Sequence, residues 1–158
     1  MTKPSFPDWT PKVDPGTRIL IVGASGGLGR ALTAMLLDGS KCVVGAHGAT
    51  RKPAARGKRV IPIRRTFKTA SDCVAVVDEF CAKAGGIDAL VVLSGAIHFS
   101  GHWMEIPETD FERDMAVNLG QPFYLARASM KRMIAQGTAE QILNSPEVVT
   151  AYIGEVRQ

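Results

Sequence analysis

Short apolar runs rich in β-branched residues alternate along this chain with longer segments of helical periodicity. The run 18–22 (RILIV) predicts a strand that is buried on both faces. The runs 42–44, 60–63 and 89–93 predict three further strands, the last one also buried. Pro62 removes a ladder hydrogen bond and therefore marks a strand end.

Between these runs, apolar residues recur at intervals of three and four, as on one face of a helix. The first such face ends at Gly39 and consists of Leu28, Ala31, Leu32, Met35 and Leu36. The second ends at Gly85–Gly86 and consists of Val74, Val77, Phe80 and Cys81. Pro107 begins a third helix. A fourth runs from about Gln121 to Gln136, with one side formed by Phe123, Ala126, Met130 and Met133.

This order of elements predicts an α/β fold, a Rossmann-like doubly wound parallel sheet with three αβα layers. With about four strands, the sheet is incomplete. Residues 1–17 contain four prolines and are expected to form a loose N-terminal leader. We expect a dinucleotide-binding domain over 18–136 and an atypical tail over 137–158.

Length and composition are those of one globular domain: 158 residues, 46% hydrophobic and 22% charged. No apolar run reaches the roughly 20 residues that span a bilayer, and the N-terminus lacks a secretory h-region. We therefore expect a cytoplasmic protein without a membrane partner. The three cysteines favour buried free thiols, and their spacing from the histidines predicts no metal site.

The net charge is +4, and its distribution is uneven. From Gly39 to Ser71 there is no acidic residue, whereas nine are basic: Lys41, Arg51, Lys52, Arg56, Lys58, Arg59, Arg64, Arg65 and Lys68. Such a stretch favours a phosphate partner or is a solvated face. Nucleic acid is not the partner we expect, since the only interleaved aromatic residue is Phe67.

A glycine-rich loop, GASGGLGR over 23–30, connects the first strand to the first helix. Gly23 allows a tight turn, Gly27 allows the backbone to approach a pyrophosphate, and Gly29 allows close packing of the helix on the strand. The free N–H groups and the positive helix end favour an anion. The alternative is a tight turn without a ligand. An ATP-type P-loop is excluded, because no GK[ST] follows.

With this loop, the chain resembles the short-chain dehydrogenase/reductase family over residues 18–136. The loop fits the family's GxxxGxG pattern, and 90–96 (LVVLSGA) occupies the place of its strand-then-NNAG motif, with Gly95 in register. The segment 114–119 (DMAVNL), followed by Phe123 and Arg127, is similar to the VN segment and its long helix. The resemblance implies an NAD(P)-dependent oxidoreductase acting on a small carbonyl or alcohol substrate, and a homo-oligomer paired through the helices of 107–136.

The family's catalytic group is an Asn, a Ser and a Tyr-xxx-Lys pair, and the resemblance assigns the Asn to Asn118. The alternative for Asn118 is a helix-kink residue bonded to the backbone. The Tyr-xxx-Lys pair is not found, because Tyr152 is followed four positions later by Val156, and Ser145 is followed by Pro146. The segment 137–154 also resembles the C-terminal end of ATP-binding subunits of branched-chain amino-acid transporters.

The cofactor-binding residues that we predict are Gly23, Ser25, Gly26, Gly27, Leu28, Gly29, Arg30, Arg51 and Gly95. NADP is favoured over NAD, because Arg51 follows the second strand where an acidic residue would bind a ribose 2′-OH. The alternative is that these cations only solvate a loop. Three functions remain open: a short-chain oxidoreductase, a dinucleotide-binding module without turnover, and a truncated remnant that binds nothing.

Overall fold

A computed structural model describes residues 13–137 and contains a four-stranded parallel sheet in the order β3-β2-β1-β4. The strands are β1 (Arg18–Val22), β2 (Val43–Gly48), β3 (Val60–Arg64) and β4 (Ala89–Val92). The helices are α1 (Gly27–Gly39), α2 (Ala70–Ala84), α3 (Glu108–Met115) and α4 (Gln121–Gln136). A 3₁₀ turn (Trp103–Glu105) precedes α3, and a π-helical turn (Ala116–Gly120) joins α3 to α4.

Helices cover both faces of the sheet, so the predicted three-layer αβα fold is confirmed. Side chains of α2 and α4, among them Phe80 and Leu125, pack on one face against Leu20 and Val22. On the other face, α1 packs against Ile19, Ile21 and neighbouring residues of β2. Alternate residues of the buried strand β1 thus contribute their side chains to two separate cores, one on each face of the sheet.

The apolar faces that we predicted for the helices are partly wrong. In α1, Leu28 is 76% exposed, whereas Gly29 and Thr33 are the buried residues. In α4, Phe123 and Met130 are exposed, and the buried residues are Leu125, Ala128 and Ser129. Apart from Leu125, the buried residues of these two helices are small or of moderate size, which allows a close approach to the layer beneath.

Strand β4 was predicted to be fully buried, and it is only half-buried along its length. It lies at the edge of the described sheet, where one side has no neighbouring strand. Arg18 ties its start to β1 by donating from Nε and Nη2 to the Asp88 carboxylate at 2.8 and 2.5 Å. This pair lowers the pKa of Asp88, mainly through the hydrogen bond from the guanidinium.

Candidate functional site

The glycine loop makes the turn from the carboxyl end of β1 to the start of α1. Gly23 has φ of +89°, a conformation that glycine adopts at little cost. A Cβ at this position would also lie 2.8 Å from the Ser94 nitrogen and 2.9 Å from the Leu93 carbonyl carbon. The chain after β4 therefore packs directly against the turn, and no side chain fits between them.

The remaining loop glycines differ in what surrounds them. A Cβ at Gly29 would lie 2.6 Å from the Ala24 Cα and closer still to the Gly23 carbonyl oxygen. At Gly26 the nearest atom would be the Gly23 oxygen at 3.3 Å. At Gly27 no heavy atom would lie within 4 Å. Gly29 thus serves internal packing, whereas the backbone at Gly27 is approachable from outside the protein.

The start of α1 offers unpaired donors. Arg30 N donates to the Gly26 oxygen at 3.0 Å, but the amides of Gly27, Leu28 and Gly29 have no hydrogen-bond partner within the described residues. The first turn of α1 contains no acidic side chain and its N-cap Gly26 makes no side-chain cap. The helix dipole is therefore uncompensated here, and a phosphate anion would be stabilised.

The end of β2 borders the same loop. Ala24 N donates to the His47 oxygen at 2.8 Å, and a Cβ at Gly48 would lie 3.1 Å from the Ser25 hydroxyl. Residues that follow β2 are therefore adjacent to the phosphate loop. Arg51 is exposed in this segment, and Arg30 is exposed at the start of α1.

The predicted basic stretch divides into cations with structural partners and cations that face solvent. Arg59 donates to the Leu37 oxygen at 2.7 Å and to the Ser40 oxygen at 2.5 Å, so it caps the carboxyl end of α1. Arg65 pairs with Asp72 at 3.5 Å. Arg51, Lys52 and Lys58 are exposed and have no side-chain partner within the described residues.

Asn118 lies in the π-helical turn between α3 and α4. Its Nδ2 donates to the Ala96 oxygen at 2.7 Å, and its Oδ1 accepts from Ala96 N at 3.1 Å. A Cβ at Gly95 would lie 3.1 Å from the same Oδ1. The amide of Asn118 thus holds the chain after β4 by two backbone hydrogen bonds, the arrangement of the helix-kink alternative.

His98 forms a pair that sequence reasoning missed. Its Nδ1 lies 2.6 Å from Asp114 Oδ1, and its backbone N donates to the same oxygen at 3.1 Å. His98 borders a cleft of about 510 Å³ between the start of α2 and the π-helical turn. Sixteen residues separate the two side chains, and no local pattern links them.

Ser145 and Tyr152, which do not match the family's catalytic pattern, lie outside the described residues. Within residues 13–137, Tyr124 is followed four positions later by Ala128, so no Tyr-xxx-Lys pair occurs there. The same part of the chain holds no cluster of three metal-ligating side chains, and none of its helices is long and apolar enough to cross a membrane.

Comparison with known proteins gives one consistent family. The profile of the short chain dehydrogenases matches residues 17–146. A short chain dehydrogenase of Emericella nidulans, mdpC, is 28% identical over 131 residues, which are 77% of this chain and 49% of that protein. The 2-dehydro-3-deoxy-D-gluconate 5-dehydrogenase of Escherichia coli is 26% identical over 147 residues, which are 90% of this chain and 57% of that protein.

Solved structures share the fold. The NADH-dependent reductase A1-R′ complexed with NAD superposes with a TM-score of 0.69 at 23% identity, covering 80% of this chain and 55% of that one. A dehydrogenase/reductase from Sinorhizobium meliloti gives 0.65 at 26% identity, covering 75% and 50%. The chain thus spans about half the length of these relatives. The comparisons give no support to the transporter resemblance of the tail, of which residues 138–158 lie outside the described residues.

Proposed function

This chain belongs to the short-chain dehydrogenase family, and on that premise we propose that it is the cofactor-binding part of an NAD(P)-dependent oxidoreductase. The observation that carries the proposal is the loop from Gly23 to Gly29, where unpaired amides and an approachable backbone at Gly27 meet the start of α1. When bound, the nicotinamide cofactor supplies hydride transfer with a carbonyl or alcohol substrate.

The unpaired amides of the turn suit the pyrophosphate of a dinucleotide. Gly27, Leu28 and Gly29 present amides to the pyrophosphate, and Ser25 and Gly26 complete the loop. Gly95 directly follows Leu93 and Ser94, whose backbone packs against Gly23. Asn118 fixes that segment through Ala96, so we assign it the role of positioning the cofactor cleft.

The loop proposal is tested by Gly27→Val, with Gly39→Val as the matched control. Neither position has a neighbour within 4 Å, so both variants should keep an unfolding free energy within about 0.5 kcal/mol of the parent. The valine side chain introduced at position 27 occupies the pyrophosphate approach. We expect Gly27→Val to abolish the rise in melting temperature caused by NADPH, and Gly39→Val to retain it. An unchanged rise in both variants would contradict the proposal.

We favour NADP(H) over NAD(H), because no acidic residue follows β2 before Asp72 and Arg51 is exposed beside the loop. NADPH should therefore raise the melting temperature more than NADH does. Arg51→Ala should narrow the difference between the shifts caused by NADPH and NADH. Lys83→Ala on α2 removes the same charge far from the loop and should leave this difference unchanged. Equal shifts with both cofactors in the parent protein would argue against this preference.

A dinucleotide-binding module without turnover is the second candidate. It is favoured by the Asn118 amide, which is engaged by the backbone, and by the lack of a Tyr-xxx-Lys pair within residues 13–137. An assay of NADPH oxidation with varied carbonyl substrates distinguishes the oxidoreductase from the binding module. The loss of the near-ultraviolet absorbance of NADPH reports the oxidation. Turnover supports the oxidoreductase, whereas binding without turnover supports the module.

We further propose a location and a mode of assembly. The three cysteines are free, which fits the reducing cytoplasm that we propose for the protein. Pairing of two copies through α3 and α4 is proposed from the apolar side chains that these helices expose. Fractionation of cells and sedimentation of the purified chain test the two statements separately.

A further inference from the structure

The segment that follows β4 is apolar and exposed. Three of its side chains are largely in solvent: Ile97 is 84% exposed, Trp103 74% and Met104 72%. Large apolar side chains that a fold leaves exposed together mark a contact surface. We propose that residues 96–104 form the substrate-recognition surface of the protein, and that this surface selects uncharged carbonyl or alcohol compounds carrying a large apolar group. This substrate class rests on the proposed function, that of an NAD(P)-dependent oxidoreductase.

The segment differs from the rest of the chain in its charge. No Asp, Glu, Lys or Arg occurs from Ala89 to Met104, and this is the longest such run in the sequence. The run contains two histidines, His98 and His102, and the imidazole of the first is paired with Asp114 at 2.6 Å. A charged substrate group would lose water here without gaining an ionic partner from the segment, which is unfavourable. The run therefore favours a neutral ligand over a carboxylate or a phosphate ester.

The topology places this segment beside the glycine loop. In the sheet order β3-β2-β1-β4, the direction in which successive strands are added reverses between β1 and β4. Ligands of open α/β sheets bind at such a point, outside the carboxyl ends of the strands. The glycine loop follows β1 there and residues 96–104 follow β4, and a Cβ at Gly23 would lie 2.8 Å from the Ser94 nitrogen. A compound held by the segment is therefore adjacent to a cofactor held by the loop.

Hydrogen bonds from the helical layer hold the start of the segment. The Asn118 amide bonds both the N and the O of Ala96, and Asp114 Oδ1 accepts from the backbone N of His98 at 3.1 Å. Both anchoring side chains belong to α3 and the π-helical turn, elements that pack beside α4. The backbone that carries Ile97 is therefore fixed on both sides of this residue.

The second half of the segment is ordered by contacts within itself. A Cβ at Gly101 would lie 2.6 Å from Phe99 Cζ, so the Phe99 ring folds back over the backbone. The 3₁₀ turn that carries Trp103 is capped by His102, whose Nδ1 accepts from Met104 N at 3.4 Å and whose O accepts from Glu105 N at 2.9 Å. A surface that is ordered before the ligand arrives loses less conformational entropy on binding.

The test compares benzylacetone with levulinate, two methyl ketones with the same linker that ends in a phenyl group in the first and in a carboxylate in the second. Binding is followed in the full chain carrying Trp9→Phe, in which Trp103 is the remaining tryptophan. We expect benzylacetone to protect the Trp103 fluorescence from quenching by acrylamide in a saturable manner. Levulinate should bind at least about tenfold more weakly, since its carboxylate would have to lose water on an uncharged surface.

Two pairs of substitutions in the same background locate the binding. Ile97→Ser combined with Met104→Ser should weaken benzylacetone binding at least about fivefold, since apolar contact area is lost. Val74→Ser combined with Ile134→Ser removes apolar side chains from exposed positions on α2 and α4 and should leave the affinity within about twofold. Both pairs retain Trp103 for the measurement, and melting curves report whether the variants fold.

The melting temperature with NADPH, measured on the same protein, separates this surface from the proposed function. Saturable benzylacetone binding in a chain that NADPH does not stabilise supports the surface and contradicts the proposed function. Stabilisation by NADPH without saturable benzylacetone binding overturns the surface and leaves the proposed function standing. Equal affinities for the two ketones, or equal losses in the two variant pairs, also overturn the surface. So does protection of Trp103 that depends on protein concentration and not on benzylacetone, which identifies a contact between copies of the chain.

Discussion

His47, at the end of β2, is a buried imidazole whose surroundings favour its neutral form. Its ring stacks on Phe67 with a centroid distance of 4.7 Å, and its Nε2 lies 2.8 Å from the Arg65 oxygen. Since a carbonyl only accepts, Nε2 carries the proton. Nδ1 is buried without a partner within the described residues. Protonation would therefore place an unpaired N–H and a charge in the interior.

Burial lowers the pKa of His47, and the Arg65 carbonyl and the charge of Glu79 oppose this effect only in part. In the unfolded chain the imidazole titrates near its ordinary pKa of about 6.5. Below that pH the unfolded state binds more protons than the folded state, so the free energy of unfolding falls as the pH is lowered from about 6.5. Denaturant titrations from about pH 7.5 down to about pH 5.5, where carboxylates with ordinary pKa values of about 4 remain mostly ionised, measure this slope.

The control for His47 is a histidine that solvent already reaches. His47→Gln should flatten the decline in stability above about pH 5.5, because the titrating group is gone. His102→Gln, at an exposed position before the 3₁₀ turn, should leave the decline unchanged. A slope that persists in His47→Gln would show that other groups cause it.

At the scale of elements, the sequence predicted the strands and helices well because their signals are local. The apolar run 18–22 placed β1, and Gly39 and Gly85 placed the ends of α1 and α2. Two strand predictions were wrong: β2 continues to Gly48, beyond the predicted run 42–44, and Pro62 lies inside β3 and does not mark its end, because β3 is an edge strand that tolerates the missing N–H. The inward faces of α1 and α4 were predicted less well. Periodicity assigns the larger apolar residues to the core, whereas Gly29 and Thr33 take the buried side of α1 because the layers approach closely there.

Gly45 shows how such an approach restricts a strand. A Cβ at this position of β2 would lie 2.5 Å from the Cδ2 and 2.7 Å from the Cε2 of Phe80, a ring that is fully buried in α2. Gly45→Ala should therefore lower the free energy of unfolding by about 1–3 kcal/mol through overpacking. Gly39→Ala, where no neighbour lies within 4 Å, should not destabilise. Denaturant melts compare the two, and a Gly45→Ala protein as stable as the parent would refute the close packing.

At the scale of the whole molecule, the candidate site was only partly predictable. The loop from Gly23 to Gly29 carries its own signal, since spacing, strand and helix are contiguous. Three other features arise from crossovers between strands. Gly48 approaches Ser25, Arg56 and Arg64 border one cleft, and His98 pairs with Asp114. Residues that meet in this way are far apart along the chain, and no periodicity in the sequence indicates their contact.

The outer side of α3 and α4 carries a line of large apolar side chains that have no cover within the described residues. They are exposed by 40% to 59% and recur mostly at intervals of four: Phe111, Met115, Leu119, Phe123, Met130 and Ile134. Residues four apart are neighbours on a helix surface, so these side chains form a continuous stripe. A stripe of this size is typical of a buried contact in an assembly, because exposed apolar surface favours association.

We therefore expect the chain to self-associate with rising concentration, and Leu119→Glu combined with Phe123→Glu to shift it toward the monomer in sedimentation velocity. Two charges at the centre of the stripe would have to be desolvated in the contact, which is unfavourable. The matched control is Val74→Glu with Met104→Glu, which places the same charges on exposed apolar positions outside α3 and α4. If both pairs dissociate the protein equally, general charge repulsion and not the stripe governs association; a monomeric parent chain at all concentrations would rule out the stripe as a contact between copies.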